Sequence, residues 1–211
     1  MIRVLIADDH AVVRRGLREI LSEASDILVA GEAASAPDVA RVLAAERFDV
    51  AVLDMSMPGA TGMGLIADVH RTYPSLPILV LTMHPEEQFG VHVLKAGAAG
   101  FLNKESAPDK LVEAVRKVGT GGRWISPELA ETLASIVAGG GKDGPLHQRL
   151  TVRELEVLRL LASGKTVSDV ARTLSLSAKT VSTHRTRILA KMRMKTNAEL
   201  THYAIKNRLV E

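Results

Sequence analysis

A chain of 211 residues, 46% hydrophobic and 24% charged, has the length and make-up of one large or two small globular domains, and with no cysteine it excludes a disulfide framework and thiolate chemistry. No signal-peptide pattern opens it and no apolar run nears the roughly 20 residues of a membrane span, so a cytoplasmic protein without membrane contact is expected. The net charge of +3 is unevenly spread: residues 1–146 carry 14 Lys and Arg against 19 Asp and Glu, a net of −5, and residues 147–211 carry 13 against 5, a net of +8. An acidic front and a basic tail suggest two domains with different partners, and the tail's first candidate is nucleic acid. From residue 2 to 118, short apolar runs at 2–7, 27–33, 50–53, 78–81 and 100–102 alternate with helical patterns near 11–22, 36–46, 62–72, 86–96 and 106–118. Ser35 and Ser106, each with an acid three residues on, signal N-caps. The runs are nearly continuous Val, Leu, Ile and Ala, as in strands covered on both faces, so five βα units predict a doubly wound five-stranded parallel sheet.

Beyond Gly119-Thr120-Gly121-Gly122 the spacing predicts one helix over 127–138, then a Gly-rich linker, "AGGGKDGP", at 138–145. Only helices follow. Thr151 to Glu154 and Thr196 to Glu199 read as capping boxes, Gly164 as a helix stop and Ser177 as the cap of a helix running to about 193.

The strand ends carry the chemistry. "VLIADDH" places Asp8 and Asp9 after the first strand, "VAVLDMSMP" places Asp54 after the third, "ILVLTMH" places Thr82 after the fourth and "GFLNK" places Lys104 after the fifth. In an open parallel sheet these ends converge on the ligand-binding edge. A lone acid there is as readily a cap or a loop ligand, but these positions together are not. Three carboxylates in one cleft are pushed toward protonation unless a cation joins them. A hard divalent ion such as Mg²⁺ resolves this, and with a lysine and a hydroxyl around one remaining acid the cleft becomes a phosphoryl site whose acid can act as nucleophile. His10 reads as a polar residue opening the first helix, since the seven histidines lack metal-ligand spacing.

On "IADDH", "VLDMSMPGATG", "LTMH" and "GFLNK", in that order, the first 120 or so residues resemble a response-regulator receiver domain. The resemblance implies a flavodoxin-like fold, phosphorylation of Asp54 by a histidine kinase, and Mg²⁺ held by Asp9, Asp54 and the backbone carbonyl of Ser56, with Asp8 assisting. It implies that Thr82 and Lys104 bind the phosphoryl oxygens and that Phe101 moves with Thr82, although a plain core role for Phe101 competes. By the same resemblance, Ser56 and His84 are expected at positions that tune the lifetime of the phosphorylated state. The chain departs from the pattern at Met83, where a small residue is common, and at Glu105, where many receivers carry proline.

In "LSAKTVSTHRTRILAKM", residues 176–192, Val181, Ile188 and Met192 share an apolar face. Lys179, Thr183, Thr186 and Ala190 lie opposite, flanked by Ser182 and Arg187. Small side chains let a helix approach the major-groove floor while cations reach phosphates, and a short helix over 167–174 before a tight turn at Ser175 makes a helix-turn-helix. A helical bundle with a solvated basic face is the competing reading. Residues 150–192 also resemble the LuxR-type four-helix DNA-binding domain, and the two resemblances together name the NarL/FixJ class of response regulators. They imply a receiver over 1–120, a linker with one helix over 121–148 and a DNA-binding domain over 149–211. Base-edge contacts are implied for Ser182, Thr183 and Thr186, and phosphate contacts for Lys179, Arg187 and Lys191. Arg185 is a second-tier contact and His184 packs inward. The last helix is implied to form a dimer contact through Leu200, Tyr203, Ala204 and Leu209, unless these residues close the small core.

The expectation is a regulator rather than an enzyme, with double-stranded promoter DNA, a sensor histidine kinase and a second copy of the chain as partners, Mg²⁺ as cofactor, and turnover only of its own phosphoryl group at Asp54. Two rivals share some residues. An aspartyl phosphatase lacks a second acid two residues after Asp54 and leaves the basic tail unexplained. A regulator that binds DNA without phosphorylation remains open.

Overall fold

The computed structural model describes residues 1–57, 62–83, 86–137, 145–174 and 176–210. His84, Ser175 and most of the Gly-rich linker lie outside the described residues. Two compact units emerge, Met1–Ala134 and Ser135–Glu211.

In the first unit β1 (Ile2–Ala7), β2 (Ile27–Ala33), β3 (Val50–Asp54), β4 (Ile78–Thr82) and β5 (Gly100–Asn103) form a parallel sheet in the order β2-β1-β3-β4-β5. Helices α1 (Ala11–Ser22), α2 (Ala36–Ala45), α3 (Gly62–Thr72), α4 (Glu86–Lys95) and α5 (Ala107–Gly119) connect them. Val4, Ile6, Val52, Leu79 and Leu81 face one side and pack with Leu17 and Leu21 of α1 and Leu111, Val115 and Val118 of α5. Every residue of β3 and β4 is buried, which is why their sequences run apolar without alternation.

Strands β3, β4 and β5 each run one residue further than their apolar runs predict. Asp54 pairs with Leu81 and Thr82 pairs with Asn103, so polar residues close the ladder. Ser35 caps α2 as expected, accepting a hydrogen bond from the Asp38 amide at 3.3 Å. Ser106 does not cap α5: a 3₁₀ turn over Lys104–Ser106 intervenes, and the Ser106 hydroxyl donates to the Asn103 carbonyl at 3.0 Å instead. The turn is opened by the Asn103 side chain, which accepts from the Glu105 amide at 2.8 Å, a bond that a proline at 105 has no N–H to make.

After α5 the chain turns back along the sheet. Trp124 bridges to Gly100 in parallel fashion, donating its N–H to the Ala99 carbonyl at 3.2 Å and accepting from the Phe101 amide at 2.8 Å. Helix α6 (Pro127–Val137) follows.

The second unit contains α7 (Val152–Ala162), α8 (Val167–Thr173), α9 (Ala178–Met192) and α10 (Asn197–Lys206). Thr151 and Glu154 make the expected capping box, and Thr166 with Asp169 makes one that went unpredicted. At α10, Thr196 accepts from Glu199, but the returning Glu199 carboxylate takes the Lys195 amide at 2.8 Å rather than that of Thr196. Gly164 ends α7 at φ +82°, a left-handed backbone that glycine adopts without cost. Leu155, Leu158, Val170, Val181, Ile188, Met192, Leu200, Ala204 and Leu209 are all buried. Leu200, Ala204 and Leu209 therefore close this unit's own core. The large apolar side chain that α10 leaves exposed is Ile205, at 54%.

Candidate functional sites

β1 and β3 are neighbours from which the chain winds in opposite directions, which makes the cleft outside their carboxyl ends the switch point of the sheet. Asp8 follows β1 and Asp54 ends β3 at this point, both buried, with Thr82 fully buried at the end of β4. Lys104 reaches across from the end of β5, placing Nζ 2.6 Å from Asp8 Oδ2 and 3.0 Å from Asp54 Oδ2. Burial alone would lower the pKa of Lys104, but the two carboxylates outweigh it and hold the ammonium above the ordinary lysine value.

Asp9 lies at the rim. His10 does open α1, but its side chain caps no helix amide. Its ring turns to the acids, with Nδ1 2.7 Å from Asp9 Oδ1 and 3.3 Å from Asp8 Oδ1. Ligand atoms of Asp8, Asp9, His10 and Asp54 lie within 4.8 Å of one another, a grouping able to hold a metal ion. One ammonium against three carboxylates leaves negative charge in excess, and oxygen donors in that number suit a hard cation. Ser56 sits exposed in the turn after β3. That turn is pressed against the start of α3, where a Cβ on Gly62 would collide with the Met55 carbonyl oxygen.

Phe101 is buried in β5 and borders a groove of about 640 Å³ with Trp124, Ser126, Lys110 and Glu113. Met83 is 60% exposed, so its side chain stands in solvent rather than filling the cleft beside Thr82.

In the second unit, α9 buries Val181, Ile188 and Met192 and exposes Lys179, Ser182, Thr183, Thr186, Arg187 and Lys191. Ser177 caps its first turn by accepting from the Thr180 amide at 3.0 Å. The Thr183 and Thr186 hydroxyls donate back to the Lys179 and Ser182 carbonyls, leaving oxygen lone pairs outward. His184 and Arg185 are half-buried, and Arg185 Nε donates to Asn197 Oδ1 at 2.7 Å, tying α9 to the start of α10. Lys191 lies 2.6 Å from Glu154 Oε2. Burial pushes the Glu154 carboxyl up, but Lys191 and the Thr151 amide together hold it below the usual range.

Sequence reasoning missed three residues that matter here and the partner of a fourth. Glu154 was visible as a capping residue, but its partner lies 37 positions on. Trp124 carried no signal for a bridge to β5. Arg14 and Glu32 sit beside the acid cluster as ordinary helix and strand charges, and only tertiary contact reveals their partners.

Comparison with known proteins bears on both units. Residues 4–116 match the response regulator receiver domain, and residues 148–204 match the bacterial regulatory proteins of the luxR family. The response regulator UvrY of Escherichia coli O157:H7 is 37% identical over 209 residues, covering 99% of this chain and 96% of its own. The oxygen regulatory protein NreC of Staphylococcus epidermidis is 36% identical over 216 residues and 99% of each chain. Among solved structures, RcsB from Salmonella enterica serovar Typhimurium, bound to promoter rprA in the presence of the phosphomimetic BeF3−, matches with a TM-score of 0.75 at 32% identity over 96% of this chain and 97% of its own.

Proposed function

The chain belongs to the NarL/FixJ class of two-component response regulators, and from that premise we propose that Asp54 is where it takes up its phosphoryl group and that α9 is the helix it lays on DNA. The observation that carries this reading is the convergence of Asp8, Asp54 and Lys104 at the β1/β3 switch point, with Thr82 buried at the next strand end. The receiver spans 1–120, the connection 121–148 and the DNA-binding domain 149–211, and the protein works in the cytoplasm. Among the described residues no helix is long and apolar enough to cross a membrane.

A carboxylate oxygen of Asp54 attacks the phosphorus of a phosphohistidine on a sensor kinase. The P–O bond forms as the P–N bond breaks, and the imidazole leaves carrying the electron pair. Asp8, Asp9, Asp54 and the Ser56 carbonyl would hold Mg²⁺, which when bound neutralises charge on the phosphoryl oxygens. Lys104 turns from the Asp54 carboxylate to a phosphoryl oxygen, and the Thr82 hydroxyl donates to another. Water later attacks the acyl phosphate, returning the Asp54 carboxylate and inorganic phosphate, the one turnover assigned to this protein.

The phosphoryl group adds about −1.5 to −2 charge beside Thr82. Phe101 follows Thr82, and because the Phe101 amide is bonded to the Trp124 carbonyl, the start of the connection is tied to the switch. Dimers then place α9 in successive major grooves of promoter DNA, with Ser182, Thr183 and Thr186 at base edges and Lys179, Arg187 and Lys191 at phosphates.

The test is intact-protein mass after incubation with acetyl phosphate. A phosphoryl adduct that requires Mg²⁺ and disappears in Asp54→Ala is expected. An adduct that persists in that variant, or promoter binding by Asp54→Ala at the strength of the phosphorylated wild type, would sink the proposed switch.

A further inference from the structure

The Asp8 carbonyl lies one residue beyond the last β1 rung. The ladders end at Ala7, which pairs with Ala33 and Leu53, and although the Asp8 amide still donates to the Ala33 carbonyl at 3.2 Å, the sheet offers the Asp8 carbonyl no further rung. The guanidinium of Arg14, from the second turn of α1, fills that place: Nη1 donates to the Asp8 carbonyl at 2.7 Å. The Arg14 amide also donates to the His10 carbonyl at 3.0 Å. That second bond is the first backbone bond of α1, so the segment is held at its far end by the helix and at its near end by the Arg14 side chain. On its other side Arg14 Nε faces Glu32 Oε2 at 3.5 Å, and Glu32 is held in turn by Arg18 Nη2, 2.6 Å from Oε1. The Arg14 side chain is only 18% exposed, so these partners define its position.

We propose that Arg14 is a positioning residue for the acid cluster, its guanidinium clamping the Asp8 carbonyl under the restraint of Glu32 and so aiming the Asp9 carboxylate at the cation. Rotation of the peptide between Asp8 and Asp9 swings the Asp9 side chain, and a planar guanidinium bonded to that carbonyl opposes the rotation. Arg14 touches neither cation nor phosphoryl group and acts through the backbone alone. Glu32 ends up neutralised by two arginines at the border of a site already overloaded with negative charge.

Charge and positioning predict opposite signs. If Arg14 mattered only as a cation near three acids, its removal would tighten divalent-ion binding. If it positions Asp9, removal weakens it.

The inference rests on reading the cluster as a Mg²⁺ site, so calorimetric titration of MgCl2 into the full-length wild type comes first. Folded wild type that binds no Mg²⁺ overturns the cluster reading and this inference with it. Given wild-type binding, Arg14→Gln is expected to weaken Mg²⁺ affinity by roughly 10-fold, and Arg14→Lys, which keeps the charge but loses the fork, weakens it comparably. Saturating Mg²⁺ restores phosphorylation by acetyl phosphate toward the wild-type rate, which damage to the fold would not allow. Should Arg14→Gln not fold, Glu32→Gln, which frees the guanidinium, is read instead and weakens binding several-fold. Folded variants that bind Mg²⁺ as tightly as wild type, or more tightly, overturn the role of Arg14 alone.

Discussion

Each unit holds a lysine 2.6 Å from a buried carboxylate: Lys104 against Asp8 in the first, Lys191 against Glu154 in the second. Geometry at the ammonium is nearly the same, and the surroundings differ. Lys104 is shared between two buried acids with a third, Asp9, at the rim, and one cation cannot balance them. Glu154 has one ammonium and one backbone amide on the same oxygen, and its charge is met. Charge left over marks the first pair as a candidate functional site, whereas the balanced pair joins two parts of a fold.

The largest expected effect comes from removing the shared cation. Lys104→Met leaves two buried carboxylates together and should cost about 3–5 kcal/mol in metal-free buffer, read as a shift in the urea midpoint of the first unit. Much of that loss should return on adding Mg²⁺. A loss untouched by saturating Mg²⁺ would place Lys104 with Lys191 as a plain structural partner.

The second unit answers to pH instead. Burial pushes His147, 3.1 Å from the Tyr203 hydroxyl, down to about 4 from an ordinary 6.5. The unfolded chain then takes up the proton first, so stability is fully present above pH 6.5 and falls as pH drops through about 4, by up to roughly 3 kcal/mol. Thermal melts of wild type and His147→Asn across this window check it, with the flatter slope expected of the variant.

Neutralising one acid in each unit should give opposite signs. Glu154→Gln breaks a balanced pair and costs about 1–3 kcal/mol. Asp54→Asn relieves repulsion in an overcharged cluster and raises the metal-free melting point by a few degrees, about 1 kcal/mol. If both variants lose stability, the distinction between the two pairs fails.

The smallest effect separates two exposed cations of α9. Arg187→Gln should lower the slope of log affinity for DNA against log salt by about 1. Lys191→Gln should lower it less, because Glu154 already competes for the ammonium. Equal slopes would mean that Lys191 leaves Glu154 when DNA is bound.

Much of this was legible in the sequence, because periodicity and strand-end chemistry are local. Continuous apolar runs marked strands buried on both faces, and polar residues at their ends marked one edge of the sheet. The buried and exposed faces of α9 followed from residues spaced seven and four apart. What stayed hidden involved partners distant in sequence or choices between equal donors. Ser106 resembled Ser35 as a cap, yet Asn103 took the opening turn. Leu200, Ala204 and Leu209 read equally as dimer contact or core until packing buried them. Arg14 looked like any basic residue on an amphipathic helix.

The sequence by itself determined the order of elements, the two-unit organisation, the acids at the strand ends and the family. These follow from side-chain period and from motifs whose members sit a few residues apart. Only the tertiary structure decided which cation meets which carboxylate. Lys104 spans Asp8 and Asp54, Lys191 meets Glu154 and Arg14 meets the Asp8 carbonyl because folding brings those residues within hydrogen-bond reach. A hydrogen bond or ion pair needs its two partners within a few ångströms of each other, and sequence spacing does not encode that distance.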